Sequence, residues 1–196
     1  MNRLSSKHCA VSSVIGHIIL VAIVVVGSSI TVVFAQDAYN IFQVSASPNI
    51  ELLTITGFDA RDAPDIEAHN APIAKPSLIA TYHGDGIKAI KEVITVYVKN
   101  DGTKTARLDE VTLGGKEYSF SNPLFIVPFG SYAIISSNLP NAVVLASSPE
   151  IKPGQEVTII FSLDSSFKVG RSLQFKLVTE NGFIATDSVV TGHQRY

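Results

Sequence analysis

Charge is what this sequence has least of. Lysine, arginine, aspartate and glutamate make up 16% of its 196 residues, against about a quarter in an ordinary soluble domain. None of them falls between Cys9 and Gln36. The net charge of −2 offers no basic stripe, which excludes a nucleic-acid partner held through its phosphates. The single cysteine, Cys9, excludes an intrachain disulfide framework and a CxxC zinc site. Tryptophan is absent. Also missing are the nucleophile elbow G-x-S-x-G, the phosphate loop, the dinucleotide G-x-G-x-x-G and the zinc helix H-E-x-x-H. No Asn-x-Ser/Thr sequon occurs. The expectation is a protein that is not an enzyme and has no cofactor and no metal.

What the sequence does have is one dense apolar block, roughly Val11 to Ala35. As a helix rising 1.5 Å per residue, 25 residues reach about 37 Å, more than the roughly 30 Å hydrocarbon core of a bilayer. The block is apolar all round, which suits lipid or the centre of a helix bundle. Arg3 and Lys7 precede it and Asp37 follows, so the positive-inside rule puts the N-terminus in the cytoplasm and the bulk of the chain outside. Val33-Phe34-Ala35 has the small-residue pattern of a conventional signal-peptidase cut. The apolar run, however, is well over the 7–15 residues of a signal h-region. A plain uncleaved anchor, and a short basic leader cut ahead of the helix, remain alongside that reading.

Ala10-Val11-Ser12-Ser13-Val14-Ile15-Gly16, followed by the Ile/Leu/Val/Ala run from His17 to Val26, resembles the N-terminal segment of archaeal type IV pilins. That family has a basic leader, a small-residue–Val-Ser-Pro-Val-Ile-Gly-like start and a long apolar helix. Here Ser13 stands in place of the proline and Cys9 in place of the usual basic residue. The resemblance covers about 25 residues and implies cleavage between Ala10 and Val11 by a pre-pilin peptidase. It further implies a stay in the membrane, then extraction by an assembly ATPase and a membrane platform protein into a homo-oligomeric helical filament serving adhesion, surface attachment or motility. Ser12, Val14, Ile15, Gly16, Ile18, Ile19, Ala22, Ile23, Val26 and Gly27 would form the filament core. An archaellum filament protein belongs to the same superfamily. The alternative from another class is an uncleaved, membrane-anchored β-sandwich binding module of the cell surface.

Two polar features interrupt the block. His17 is an intramembrane ionisable group, a functional candidate that also reads as a neutral imidazole bonded to a nearby serine. Gly27-Ser28-Ser29 is the weakest stretch of the helix and the place to expect a bend.

Beyond the helix the pattern changes to period two. Strands are expected at Ile50–Phe58, Ser77–Tyr82, Lys91–Lys99, Ala106–Leu113, Glu117–Phe120, Tyr132–Ser136, Glu156–Leu163, Leu173–Thr179 and Phe183–Val190. Asn100-Asp101-Gly102 and Glu180-Asn181-Gly182 read as hairpin turns, and Lys152-Pro153-Gly154 as another turn. The segment Val93–Thr103 loosely resembles the strand and turn of immunoglobulin-like surface domains. The fold expected is α+β, a long hydrophobic helix followed by an antiparallel immunoglobulin-like β-sandwich. Its divisions are a leader over 1–10, a helix over 11–46 ended by Ser47-Pro48-Asn49, and an extracellular domain over 47–196. Residues 59–76 read as a long exposed loop whose Asp59, Asp62, Asp65, Glu67 and His69 either bind a cation or are simply solvated. The proline-bounded stretch Pro123–Gly130 reads as cover for the core or, through Leu124, Phe125 and Phe129, as a subunit contact.

Overall fold

A computed structural model of the chain describes residues 6–45, 50–69, 71–79, 83–139 and 142–196, with side chains in the helix described for 14–32 and Gln36. The chain forms two compact units, residues 1–48 and 49–196. The first contains one helix, α1 (Ser6–Ser45), 40 residues without interruption. It begins inside the expected leader and runs through the backbone of Ala10 and Val11. The side chains of Ala10, Val11 and Ser12, and the helix-ending Pro48, lie outside the described residues.

The second unit is built of strands. They are β1 (Leu53–Asp59), β2 (Glu67–Ala68), β3 (Ala71–Pro72), β4 (Ile87–Lys88), β5 (Val93–Asn100), β6 (Ala106–Leu113), β7 (Lys116–Glu117) and β8 (Ser119–Phe120). They continue with β9 (Ser131–Leu139), β10 (Ala142–Leu145), β11 (Glu150–Ile151), β12 (Glu156–Ser162), β13 (Phe167–Lys168), β14 (Ser172–Thr179), β15 (Ile184–Val190) and β16 (Gln194–Arg195). A larger sheet runs β10-β9-β12-β5-β1-β16 with β8 alongside β9, and a smaller one runs β11-β6-β14-β15 with β7 alongside β6. Every pairing is antiparallel except β8 with β9. The α+β expectation, helix and then antiparallel β-sandwich, holds.

The alternation read from the sequence builds the space between the sheets. Ile94, Val96 and Val98 of β5 and Val157, Ile159 and Phe161 of β12 face Leu108, Val111 and Leu113 of β6 and Leu173, Phe175 and Leu177 of β14. Phe161 meets Phe175 edge-on across the gap at 5.8 Å between ring centroids, a geometry worth a fraction of a kcal/mol to about 1.5 beyond burial.

Three expectations need correction. Residues 59–76 are not an exposed loop. Ile66, Ala68 and Ile73, with Leu78, pack on the outer face of the larger sheet against Val93, Ala133, Ile135 and Ile160 and make a second core. Apolar residues there are few and spaced by prolines and charges, so no period announces them. The strand expected at Ser77–Tyr82 opens instead as a single 3-10 turn, Pro76–Leu78, that drops Leu78 into that second core, and residues 80–82 lie outside the described ones. Asn100-Asp101-Gly102 is a turn but not a hairpin, because β5 and β6 belong to different sheets. The Asn100 side chain holds this crossing together, donating to Lys104 O and Ile151 O at 2.8 Å each and accepting from Gly102 N.

Candidate functional site

The apolar helix has no cover. Val14–Val32 is long and apolar enough to cross a membrane, and none of it is buried within the chain. Such a surface fits a membrane anchor better than contact with water. Its polar side chains look inward to its own backbone: Ser28 and Ser29 hydroxyls donate to Val25 O at 2.9 and 2.8 Å, and Thr31 to Gly27 O at 2.9 Å. Each hydroxyl is therefore satisfied without water, as a bilayer requires. Such back-bonds tend to bend helices, and they fall at or beside Gly27-Ser28-Ser29 within a helix that runs uninterrupted.

One face of the helix is distinct. Ile19, Ala22, Ile23, Val26, Gly27 and Ile30 line a shallow apolar groove. Ile19, Ile23, Val26 and Ile30 follow steps of four, three and four, the spacing of heptad positions d, a, d and a. Ala22 and Gly27 flank them, and a Cβ added at Gly27 would meet nothing within 4 Å. Carried backward, the same spacing passes through Gly16 and Ser12. The seam thus gathers most of the residues expected to pack. Val14 and Ile18 do not lie on it: at about 100° per residue they fall on other faces of the helix, although both are more than half exposed. Ile15 takes the flank of the seam at the position Ala22 occupies one heptad later. His17 lies off the seam as well.

The stretch Pro123–Gly130 is the second uncovered apolar surface. Leu124, Phe125, Ile126 and Phe129 are 80%, 70%, 51% and 59% exposed, while Val127 alone is buried, in the second core. Reading this loop as cover for the core is therefore right for one residue only. The loop is tied down by Lys75, whose Nζ donates to Leu124 O at 2.6 Å and sits 5.9 Å from the Phe125 ring centre. It leads into β9 at Ser131, beside Ser162 at the end of β12. β12 in turn pairs Ser162 with Val93 and Glu156 with Lys99 of β5, and Leu53 pairs with Asn100. The apolar tip is thus at one end of the larger sheet and the chain enters at the other, about 25 Å away along the eight residues of β5.

In the acidic segment the carboxylates turn to an arginine. Asp59 is fully buried and accepts from the Arg61 Nε and NH2 groups and from the backbone of Arg61 and Glu67. Glu67 and Asp65 lie 3.6 and 3.8 Å from the same guanidinium. The positive charge these acids surround is an arginine. Among the described residues no cluster of His, Cys, Asp and Glu could hold a metal. A second buried pair escaped the sequence reading altogether. Lys88 and Glu92, both almost wholly buried, stand 4.0 Å apart. Burial pushes the Lys88 amine below its ordinary value, against the opposing pull of Glu92, Asp62 and Asp59. Glu92 also accepts from His83 N, His83 Nδ1 and Ala89 N.

No family model matches the chain, and no curated protein does. Among solved structures, the archaellum periplasmic stator protein FlaG from Sulfolobus acidocaldarius shares 15% identity at a TM-score of 0.38, over 71% of this chain and 100% of that one. The archaellum periplasmic stator complex of FlaF and FlaG from the same organism shares 17% at 0.34, over 54% of this chain and 84% of that one. Likeness at these values assigns no role.

Proposed function

We propose that this chain is a membrane-anchored structural component of an archaeal surface-filament system, with its β-sandwich outside the cytoplasmic membrane and α1 as the element that packs against its own kind. The observation carrying this is the uncovered apolar surface of Val14–Val32, with the Ile19–Ile30 seam running along it. In the finer form of the reading, a pre-pilin peptidase removes residues 1–10. The helix first lodges in lipid and then exchanges lipid for neighbouring helices in a filament, a step for which a seam of isoleucines flanked by small residues is suited.

The alternative keeps the leader and makes the chain a fixed part of the apparatus, the kind of role for which the FlaG and FlaF proteins above are named. The helix running unbroken from Ser6 across Ala10 and Val11 favours it.

Mass spectrometry of the protein from native cells separates these readings. A mature N-terminus at Val11 is expected for the filament subunit, one at Met1 leaves the fixed anchor, and one at Gln36 sinks both. Cysteine cross-linking in membranes tests the seam: in a Cys9→Ser background, Ile23→Cys and Val26→Cys should link copies, and Val21→Cys on the far face should not.

A further inference from the structure

We infer that Ile50–Leu52 form a mechanical clamp, in which Glu51 passes force arriving from the helix into both sheets at once. The inference rests on the reading of α1 as a tether, since chain continuity makes Ile50 the point where such a tether pulls. Backbone bonds tie this segment to the turn that crosses between the sheets: Thr103 N donates to Ile50 O at 2.9 Å, Asp101 N donates to Leu52 O at 2.8 Å, and Ile50 N donates to the Thr103 hydroxyl at 3.3 Å. The approach is close enough that a Cβ on Gly102 would sit 2.3 Å from Ile50 O and 2.7 Å from Leu52 N. Glu51 adds a separate path. Its carboxylate accepts from the Thr179 hydroxyl at 2.5 Å and from the Asn181 amide, at the end of β14 and in the β14–β15 turn of the smaller sheet. Thr179 is itself buried, and its hydroxyl also accepts from Phe183 N at 3.1 Å. Residues 128 and 130 positions away in sequence are thus held by one side chain.

Charge-assisted bonds are the strong ones. Pulled from Ile50 toward the far end, β1 is loaded along its length against β5, and Glu51 shares that load with the other sheet. Without Glu51 only the backbone bonds to the crossing turn remain beside the β1–β5 pairing.

The test is single-molecule force spectroscopy on the full chain in detergent. One geometry places handles at Cys9 and at Phe125→Cys, so force enters through Ile50. The second, in a Cys9→Ser background, places them at Lys104→Cys and Phe125→Cys and bypasses it. Glu51→Ala should shorten the sandwich's lifetime at constant force at least tenfold in the first geometry and less than twofold in the second, with Glu51→Gln between. Equal shortening in both geometries, or none in the first, overturns the clamp. The tether is judged apart from this, by whether the full chain floats with liposomes.

Discussion

Lys88 is a buried cation whose companion Glu92 is buried too. Removing one partner strands the other without water. Lys88→Met should therefore destabilise the sandwich by about 3–5 kcal/mol, as breaking buried pairs does. Lys88→Met together with Glu92→Gln should cost less, because no buried charge is left unpaired, although the amide keeps one oxygen for the His83 donors and loses the bond from Ala89 N. Urea unfolding of the four forms checks this. His69 gives a pH signature. Burial holds its imidazole below its ordinary value, against the opposing effects of Glu156 and a bond to Val157. The unfolded chain therefore binds a proton that the folded chain resists. The His69 contribution is undiminished well above the ordinary imidazole value, is lost as pH falls from there toward the folded value, and levels off below it. His69→Asn, which tolerates the φ of 46° found there, should flatten the slope of urea midpoint against pH between 7.5 and 5. An unchanged slope would move the effect to another group.

At the scale of elements, Gly102 separates local turn chemistry from tertiary contact. Its place in Asn-Asp-Gly reads as a turn residue, but the constraint on it is the backbone of Ile50 and Leu52. Gly102→Ala should cost about 1–3 kcal/mol, the range for overpacking, seen as a lower urea midpoint. The same distinction governs what could be read in advance. The strands β14 and β15 alternate cleanly because one face is wet, β6 does so on either side of a register shift between Leu108 and Glu110, and the helix was plain from its lack of charge. Residues 66–78 were misread because their cover of the larger sheet rests on four isolated apolar side chains with no period. The hairpin at Asn181-Gly182 was legible from its turn residues; the crossing at Asn100 was not, since partner sheets are chosen by contacts far along the chain. The helix seam was only half legible, because in a run apolar on every side the groove is set by where Ala22 and Gly27 leave space.

On the scale of the molecule, the apolar tip and the point where the chain enters stand at opposite ends of one sheet. Leu124→Ser and Phe125→Ser remove exposed side chains and should leave stability within about 0.5 kcal/mol, whereas Val127→Ala, in the same loop, should cost about 2 kcal/mol; thermal unfolding of each distinguishes them. The larger sheet is covered on both faces, by the smaller sheet on one side and by residues 66–78 on the other. Along β5 nearly every position is consequently enclosed, while β14 is enclosed at alternate positions only. Mutational drift must then run at two speeds within one domain. Lineages of this protein can rewrite the wet side of the smaller sheet residue by residue. The interior of the larger one changes only by coordinated replacements.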